Sequence, residues 1–251
     1  MKKIIISINA FVLIFICFGQ VLCAQSAYIN ILKKEVPLST VEDTIKKQFA
    51  DKKLAWPPVE LYIRSFKFDR QLEVWVKGDV KDNFKLFKTY KVCMQSGTLG
   101  PKRMEGDYQM PEGLYYINEF NPNSNFHLAL GLNYPNASDK ILSDSLHPGS
   151  EIYIHGKCLS TGCIAIDNKP IEEVFLLATL AKDAGQDFIP VHIFPIKFNV
   201  KKSFEYLALI SKENQPLQQF IISLKNVFDY FEEKKQLPLV FITKSGNYII
   251  N

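Results

Sequence analysis

Apolar and polar residues alternate with a period of two through much of the chain after residue 58, and this pattern predicts β-strands. Around a turn at 68–71, the alternating apolar positions are Leu61, Ile63, Leu72, Val74 and Val76. This spacing predicts a hairpin. Further strands are predicted at 85–94, 114–119, 126–133, 151–155 and 188–198. Pro190 and Pro195 interrupt the last of these segments, which favours an edge position in the sheet.

Other segments carry apolar residues at helical spacing. Val41, Ile45 and Phe49 predict a helix that Thr40 caps and that ends before Pro57. A second helix is predicted to begin at Asp167 or Asn168 and to end at Gly185. Its apolar face comprises Ile171, Val174, Phe175, Ala178 and Ala181.

A third helix is predicted over 214–235, followed by short strands at 239–243 and 248–250. Its apolar face comprises Phe220, Ile221, Leu224, Val227, Phe228 and Phe231. A stripe of this kind is typical of a helix that faces a core. We therefore expect it to dock a C-terminal extension onto the main domain.

Many short strands with flanking helices predict a mixed α/β, mainly β domain, built as a β-barrel or sandwich. The expected organisation is a signal peptide over 1–26, a helical extension over 27–57, the main domain over 58–199 and a C-terminal helix and strand extension over 200–251. A chain of 251 residues with 47% hydrophobic and 22% charged residues fits this organisation and excludes wholesale disorder.

The N-terminus has the pattern of a secretory signal. Lys2 and Lys3 precede an apolar run over 4–18, and small residues surround Ala24. We expect export to the periplasm or cell envelope. A transmembrane anchor is the alternative, but the run is shorter than a bilayer core requires. A lipid anchor at Cys23 is another, although Leu22 is larger than the residue that usually precedes such a cysteine.

Removal of residues 1–26 takes two lysines and lowers the net charge from +4 to +2. The remaining lysines are scattered, without the dense basic and aromatic block of a nucleic-acid surface. We therefore expect no nucleic-acid partner.

Removal of residues 1–26 also leaves three cysteines, Cys93, Cys158 and Cys163, so at least one thiol stays free unless it pairs with another molecule. A free thiol in an oxidising compartment invites a functional explanation.

The segment 152–168, IYIHGKCLSTGCIAIDN, brings an imidazole and a thiol to neighbouring strand ends. A thiolate can attack a carbonyl carbon while an imidazole takes and returns the proton, so His155 and Cys163 indicate covalent acyl transfer. Gly162 lets a carbonyl substrate approach the main chain, where nearby N–H groups can stabilise an oxyanion.

This segment resembles the signature of the YkuD-type L,D-transpeptidases, HG followed by S-x-G-C, at His155, Gly156, Ser160, Gly162 and Cys163. A second block strengthens the resemblance and is similar to the YafK-like branch. It comprises Gly100-Pro101-Lys102, Gly106-Asp107, Pro111-Glu112-Gly113, Phe126-His127 and Tyr134-Pro135-Asn136. The resemblance covers roughly residues 58–199.

The resemblance implies that Cys163 forms a thioester with a peptidoglycan stem peptide, next to a meso-diaminopimelate or similar centre. It implies that His155 is the general base and acid and that the Gly156 carbonyl orients its ring. An amine acceptor would then give a crosslink and water would give hydrolysis. Some members of the branch cut peptide or lipoprotein attachments, so a wall-attached lipoprotein is a further expected partner. We expect a monomer and no cofactor.

By the same resemblance, four residues are candidates for holding the substrate: Ser160, His127, Lys102 and Tyr134. The chain departs from the wider family at Thr161, where many members carry a histidine or another polar residue. It also departs at Ala165, where many carry an arginine. The missing arginine puts recognition of the stem-peptide carboxylate in doubt.

Two alternatives remain open at this stage. His155, Cys158 and Cys163 could supply three ligands to zinc, although no fourth ligand lies nearby in the sequence. A Cys158–Cys163 disulfide could mask the nucleophile, as in a non-catalytic protein that only binds the cell wall.

Overall fold

A computed structural model of the protein describes residues 38–251. The predicted signal peptide, with Cys17 and Cys23, lies outside these residues. In the described part, the helices are α1 (Leu38–Asp51), α2 (Ala137–Leu142), α3 (Asn168–Asp183), α4 (Lys201–Ser211) and α5 (Gln215–Lys234). The strands are β1 (Glu60–Phe66), β2 (Gln71–Lys77), β3 (Lys85–Lys91), β4 (Gly113–Ser124), β5 (His127–Leu132), β6 (Tyr153–His155), β7 (Ile164–Ala165), β8 (Pro190–Phe194), β9 (Val240–Ile242) and β10 (Tyr248–Ile250).

Eight of these strands form one sheet in the order β3-β2-β1-β8-β4-β5-β6-β7, and β9 and β10 form a separate pair. The predicted hairpin is confirmed, because β1 and β2 pair antiparallel with Phe66 opposite Gln71. The predicted class, a mixed α/β fold with a large sheet and flanking helices, is confirmed as well. None of the helices between residues 38 and 251 is long and apolar enough to cross a membrane.

The expected edge position of the strand at 188–198 is wrong. β8 lies inside the sheet, parallel to β1 and antiparallel to β4. Pro190 is the first residue of β8 and Pro195 follows its last residue. A proline at the start of a strand or beyond its end removes no N–H from the middle of the ladder, so it does not exclude a central position.

The predicted helices over 167–185 and 214–235 are confirmed, as is the predicted cap at Asp167; the cap at Asn214 was not predicted. Asp167 accepts from the Asn168 N–H, and Asn214 accepts from the Leu217 N–H at the start of α5. The proposed cap at Thr40 is wrong, because α1 already spans Leu38–Asp51 and the Thr40 carbonyl accepts from the Thr44 hydroxyl inside the helix. α2 and α4 were not predicted from the sequence.

The predicted apolar faces of α3 and α5 enter different clusters of buried side chains, and Phe231 of α5 joins a third, small cluster with Tyr62, Trp75 and Phe84. The face of α3 packs on the sheet in the main core, together with Ile45 and Phe49 of α1. The face of α5 forms a second core with β1, β8, α4 and β10, whose members include Phe66, Phe194, Phe198, Leu207, Phe220, Leu224, Phe228 and Tyr248. The apolar face of α5 therefore packs on the sheet.

A buried ion network also connects α5 to the sheet. Arg64 on β1 is 1% exposed, and its guanidinium contacts Glu73 of β2 at 2.6 Å and Glu232 of α5 at 2.7 Å. Lys197 contacts the other oxygen of Glu73 at 2.7 Å. Buried charges are tolerated when each has a partner, so this network depends on α5 being in place.

Candidate active site

The pairing of β6 with β7 places the imidazole and the thiol on one face of the sheet. The strands run parallel, with His155 opposite Ala165, and Cys163 directly precedes β7. Side chains two residues apart on a strand share a face, so Cys163 lies on the same face as Ala165 and His155.

His155 and Cys163 both line one cleft with a volume of about 540 Å³. The hairpin between β4 and β5 forms one wall, and the segment between β6 and β7 forms another. The remaining lining residues are Asn121, Asn123, Ser124, Asn125, Phe126, Ala129, Glu151, Tyr153, Leu159, Ser160 and Thr161. The two predicted catalytic side chains therefore reach the same space.

The His155 ring is held in one orientation. Its Nδ1 donates to the Gly156 carbonyl at 2.5 Å, and the Phe126 ring lies 4.7 Å away between centroids. In a neutral imidazole whose Nδ1 carries the proton, Nε2 is the acceptor. Burial lowers the pKa of His155 below its ordinary value of 6.5, against the opposing effect of the Gly156 carbonyl. The ring is therefore neutral near pH 7 and able to accept a proton.

Cys163 is the free cysteine among the described residues, and it is half-buried. Its thiol donates to the Glu151 carbonyl at 3.6 Å. Burial raises the pKa of Cys163 above its ordinary value of 9.0; the Tyr153 N–H opposes this and the Glu151 charge adds to it. The resting pair near pH 7 is therefore a thiol and a neutral imidazole, which calls for proton transfer during attack.

The two glycines of the motif serve different needs. A Cβ on Gly156 would lie 2.7 Å from the Phe126 carbonyl and 2.8 Å from Asn168 Oδ1, so the close packing leaves space only for glycine. Gly162 has a φ of +143°, a backbone conformation that residues with a side chain rarely adopt. Ser160 braces this turn, since its hydroxyl donates to the Cys163 carbonyl at 2.7 Å and accepts from the Gly162 N–H at 3.2 Å.

Three of the predicted substrate-binding residues lie outside the cleft lining. His127 Nε2 contacts Glu172 at 2.7 Å. The Lys102 ammonium is buried and donates to the Met104 carbonyl and Asp107. The Tyr134 hydroxyl donates to the Pro148 carbonyl. Only Ser160 of the four is brought beside Cys163, and the role of each in binding substrate stays a prediction.

The cysteine pairing differs from the predicted alternative. Cys158 is bonded to Cys93, with Cα atoms 5.6 Å apart, so the Cys158–Cys163 disulfide is wrong. The same bond removes Cys158 as a thiolate ligand for zinc. In residues 38–251, no group of three or more His, Cys, Asp or Glu side chains is arranged to hold a metal ion.

Several residues that line the cleft were not predicted from the sequence. They are the asparagines of the β4–β5 hairpin and, near β6, Glu151 and Tyr153. Tyr153 could have been found, because it lies two residues before His155 on a strand and so shares its face. The asparagines come from a different part of the chain and reach the cleft only through the pairing of β5 with β6.

Comparison with known proteins gives a consistent result. The chain matches the family model for the YkuD L,D-transpeptidase catalytic domain over residues 69–193, a segment that contains His155 and Cys163. It is 32% identical over 212 residues to YafK of Escherichia coli (strain K12), whose name places it with the L,D-transpeptidases. That alignment covers 82% of this chain and 79% of YafK. The chain belongs to the YkuD L,D-transpeptidase family. The predicted family and branch are confirmed.

Two solved structures are more distant from this YkuD family member. The helical cell shape determining protein Pgp2 from Campylobacter jejuni is 21% identical with a TM-score of 0.43, over 80% of this chain and 81% of Pgp2. L,D-transpeptidase 1 from Mycobacterium tuberculosis is 14% identical with a TM-score of 0.30, over 53% of this chain and 61% of that protein.

Proposed function

We propose that this YkuD family member is an exported cysteine acyl-transfer enzyme that acts on peptidoglycan stem peptides in the periplasm or cell envelope. Cys163 is the nucleophile and His155 is the general base and acid. The observation that carries the proposal is that a free thiol and a buried, neutral imidazole open into one cleft, in a chain of this family.

Acylation begins when Cys163 Sγ attacks the carbonyl carbon of the donor peptide and His155 Nε2 takes the thiol proton. We assign the oxyanion to the Cys163 N–H, since the Gly162 N–H is bonded to Ser160. The C–N bond then breaks, His155 returns the proton to the leaving amine, and the donor stays on Cys163 as a thioester.

Deacylation reverses these roles. An amine or a water attacks the thioester while His155 takes its proton, and the released thiolate recovers the proton from His155. An amine gives a new peptide bond and water gives a carboxylic acid, so the acceptor decides between crosslinking and hydrolysis.

The lining of the cleft indicates how a donor peptide would be held. The described residues that line it include amide and hydroxyl side chains and the Glu151 carboxylate, but neither lysine nor arginine. Ala165 also stands where many family members carry an arginine. We infer that hydrogen bonds to neutral side chains, rather than a cation paired with a carboxylate, hold the donor.

Incubation of the purified protein with peptidoglycan, followed by mass analysis of the fragments, tests the proposal. We expect shortened or newly crosslinked stem peptides from the wild type and none from Cys163→Ala. His147→Gln, a change in an exposed loop, is the control and should leave the products unchanged. Unaltered peptidoglycan with the wild type, or the same products with Cys163→Ala, would contradict the proposal.

Export is tested separately. We expect the protein recovered from the cell-envelope fraction to lack residues 1–26. A full-length N-terminus in the cytoplasmic fraction alone would reject the proposed location without bearing on the chemistry.

A further inference from the structure

The Cys93–Cys158 bridge is attached to the segment that carries the nucleophile. Cys158 lies between His155 and Cys163 in the chain, and its partner Cys93 follows β3. The Cys93 N–H donates to the Ala165 carbonyl at 2.9 Å, and the Ala165 N–H donates to the Met94 carbonyl at 3.3 Å. Residues 93 and 94 therefore contact β7 through the backbone and reach the preceding loop through a covalent bond.

The β-ladder at this edge of the sheet is short, although the side chains of Ile164 and Ala165 are buried. β7 has two residues, stands at the end of the strand order and pairs with β6 through two residue pairs. Cys158, Leu159 and Thr161 in the preceding loop are exposed. Exposed loops with few buried contacts open at low free energy, so an anchor in this loop restricts the position of Cys163.

The bridge also leaves no free thiol on Cys158, the cysteine that is nearest to Cys163 in sequence. Cys158 is five residues before Cys163, and both belong to the same loop. If Cys158 were unpaired, a disulfide oxidant such as oxidised glutathione could take two electrons and two protons from the two thiols. The products would be a Cys158–Cys163 bond and two reduced glutathione molecules.

We propose that the Cys93–Cys158 bridge is a positioning element for catalysis. It holds the loop so that Cys163 faces His155, and it keeps Cys158 from capturing the nucleophile in an oxidising compartment. The part that concerns catalysis rests on the proposed function, whereas the state of the Cys163 thiol can be measured without substrate.

The Cys93→Ala/Cys158→Ala double variant tests the anchoring role, because Cys163 is its one remaining thiol within residues 38–251. At a temperature where the variant is folded by circular dichroism, we expect turnover to fall roughly 10-fold to 100-fold through misplacement of the nucleophile. We also expect faster amide hydrogen exchange over residues 157–165. A folded double variant with wild-type turnover and wild-type exchange would overturn this role. If the wild type shows no turnover, the proposed function fails and the exchange measurement still decides the anchoring role.

The two single variants are a matched pair that tests protection of the nucleophile. Each breaks the bridge, but Cys93→Ala leaves a thiol five residues from Cys163 and Cys158→Ala does not. With oxidised glutathione, we expect Cys163 of Cys93→Ala to lose its reaction with iodoacetamide through an intramolecular bond. Mass analysis separates that bond from a glutathione adduct, and dithiothreitol should reverse it.

Cys163 of Cys158→Ala should stay free of an intramolecular bond under the same conditions. Equal formation of intramolecular bonds in the two single variants, or its absence from both, would overturn the protective role.

Discussion

At the scale of single residues, the site depends on the hydrogen bond between His155 Nδ1 and the Gly156 carbonyl. This bond fixes the tautomer, and the close contacts around Gly156 fix the carbonyl that accepts it. Because His155 is 2% exposed, the pKa of its ring is set by the surrounding protein more than by solvent.

Replacement of His155 by glutamine should remove the proposed general base while keeping a side chain of similar size. We expect kcat to fall by about 10²-fold to 10⁴-fold, the usual contribution of general acid–base catalysis. Steady-state assays on a peptidoglycan fragment provide the measurement, with His147→Gln as the exposed control. A loss of less than threefold would be inconsistent with the assigned role.

The pH dependence follows from the direction of the His155 shift. Burial lowers the pKa of the ring, so the neutral form, which the proposed mechanism requires, persists to a lower pH than it would in solvent. We expect kcat/KM to fall on the acid side with an apparent pKa below 6.5, the ordinary value for histidine. A pH profile from 4 to 9 measures it. An acid limb above 6.5 would show that another group controls activity.

At the scale of elements, the C-terminal helix α5 stabilises the sheet through one aromatic face. Phe228 is buried and packs edge-on against Phe66, Phe194 and Phe198, which lie on or just after β1 and β8. These strands are central in the sheet, and β8 also pairs with β4. Loss of this contact should therefore weaken the whole sheet.

Phe228→Ala should lower the free energy of unfolding by about 3–5 kcal/mol, the range for truncating a buried phenylalanine. Ile222→Ala, on the exposed face of the same helix, is the control and should change stability by less than about 0.5 kcal/mol. Urea denaturation followed by circular dichroism compares the two. Equal effects would mean that α5 is not docked as the structure shows.

The elements that sequence reasoning predicted have a single apolar face and a polar cap, as in α3 and α5. α4 has neither signal. Val200 at its start makes no side-chain cap, and its apolar residues Phe204, Leu209 and Ile210 are exposed while Ser203 and Ser211 are buried. Tertiary contacts decide which residues of α4 are buried, so the spacing of its apolar residues did not predict the helix. The central place of β8 was missed because strand order is set by partners elsewhere in the chain.

At the scale of the whole molecule, the motif around Cys163 was enough to predict the family and the pair of groups in the cleft. The cleft walls and the disulfide were not predictable in the same way. Cys93 and Cys158 are 65 residues apart, and the odd number of cysteines left several pairings open. Lys102 and Tyr134 matched the family pattern, but their polar atoms bond within the fold.

Stability in acid is also a property of the whole fold, because His192 lies where β8 meets β1 and α5. Its Nδ1 contacts the Tyr62 hydroxyl at 2.7 Å, and burial, with a contribution from Arg64, lowers its pKa to about 3. The unfolded state takes up a proton near pH 6.5, whereas the folded state does not. The stabilisation is therefore complete above pH 6.5 and is lost as the pH falls toward 3.

We expect His192 to account for about 2 kcal/mol of lost stability between pH 7 and pH 5. His192→Gln removes the titration, so its unfolding free energy should change less over this range than that of the wild type. Comparison of the two proteins cancels other groups, such as Asp139, whose pKa burial raises to about 6. If the unfolding free energies of the wild type and His192→Gln changed equally with pH, His192 would not be the source of the lost stability.

The central claim is that Cys163 becomes covalently bonded to the donor peptide. Rapid acid quenching of the protein with a peptidoglycan stem peptide, followed by intact-mass and peptide-level mass spectrometry, tests it most directly. We predict an added mass equal to the acyl fragment of the donor, located on Cys163, released by hydroxylamine and absent from Cys163→Ala. Turnover of the same peptide without any adduct on Cys163, or an adduct on another residue, would contradict the account.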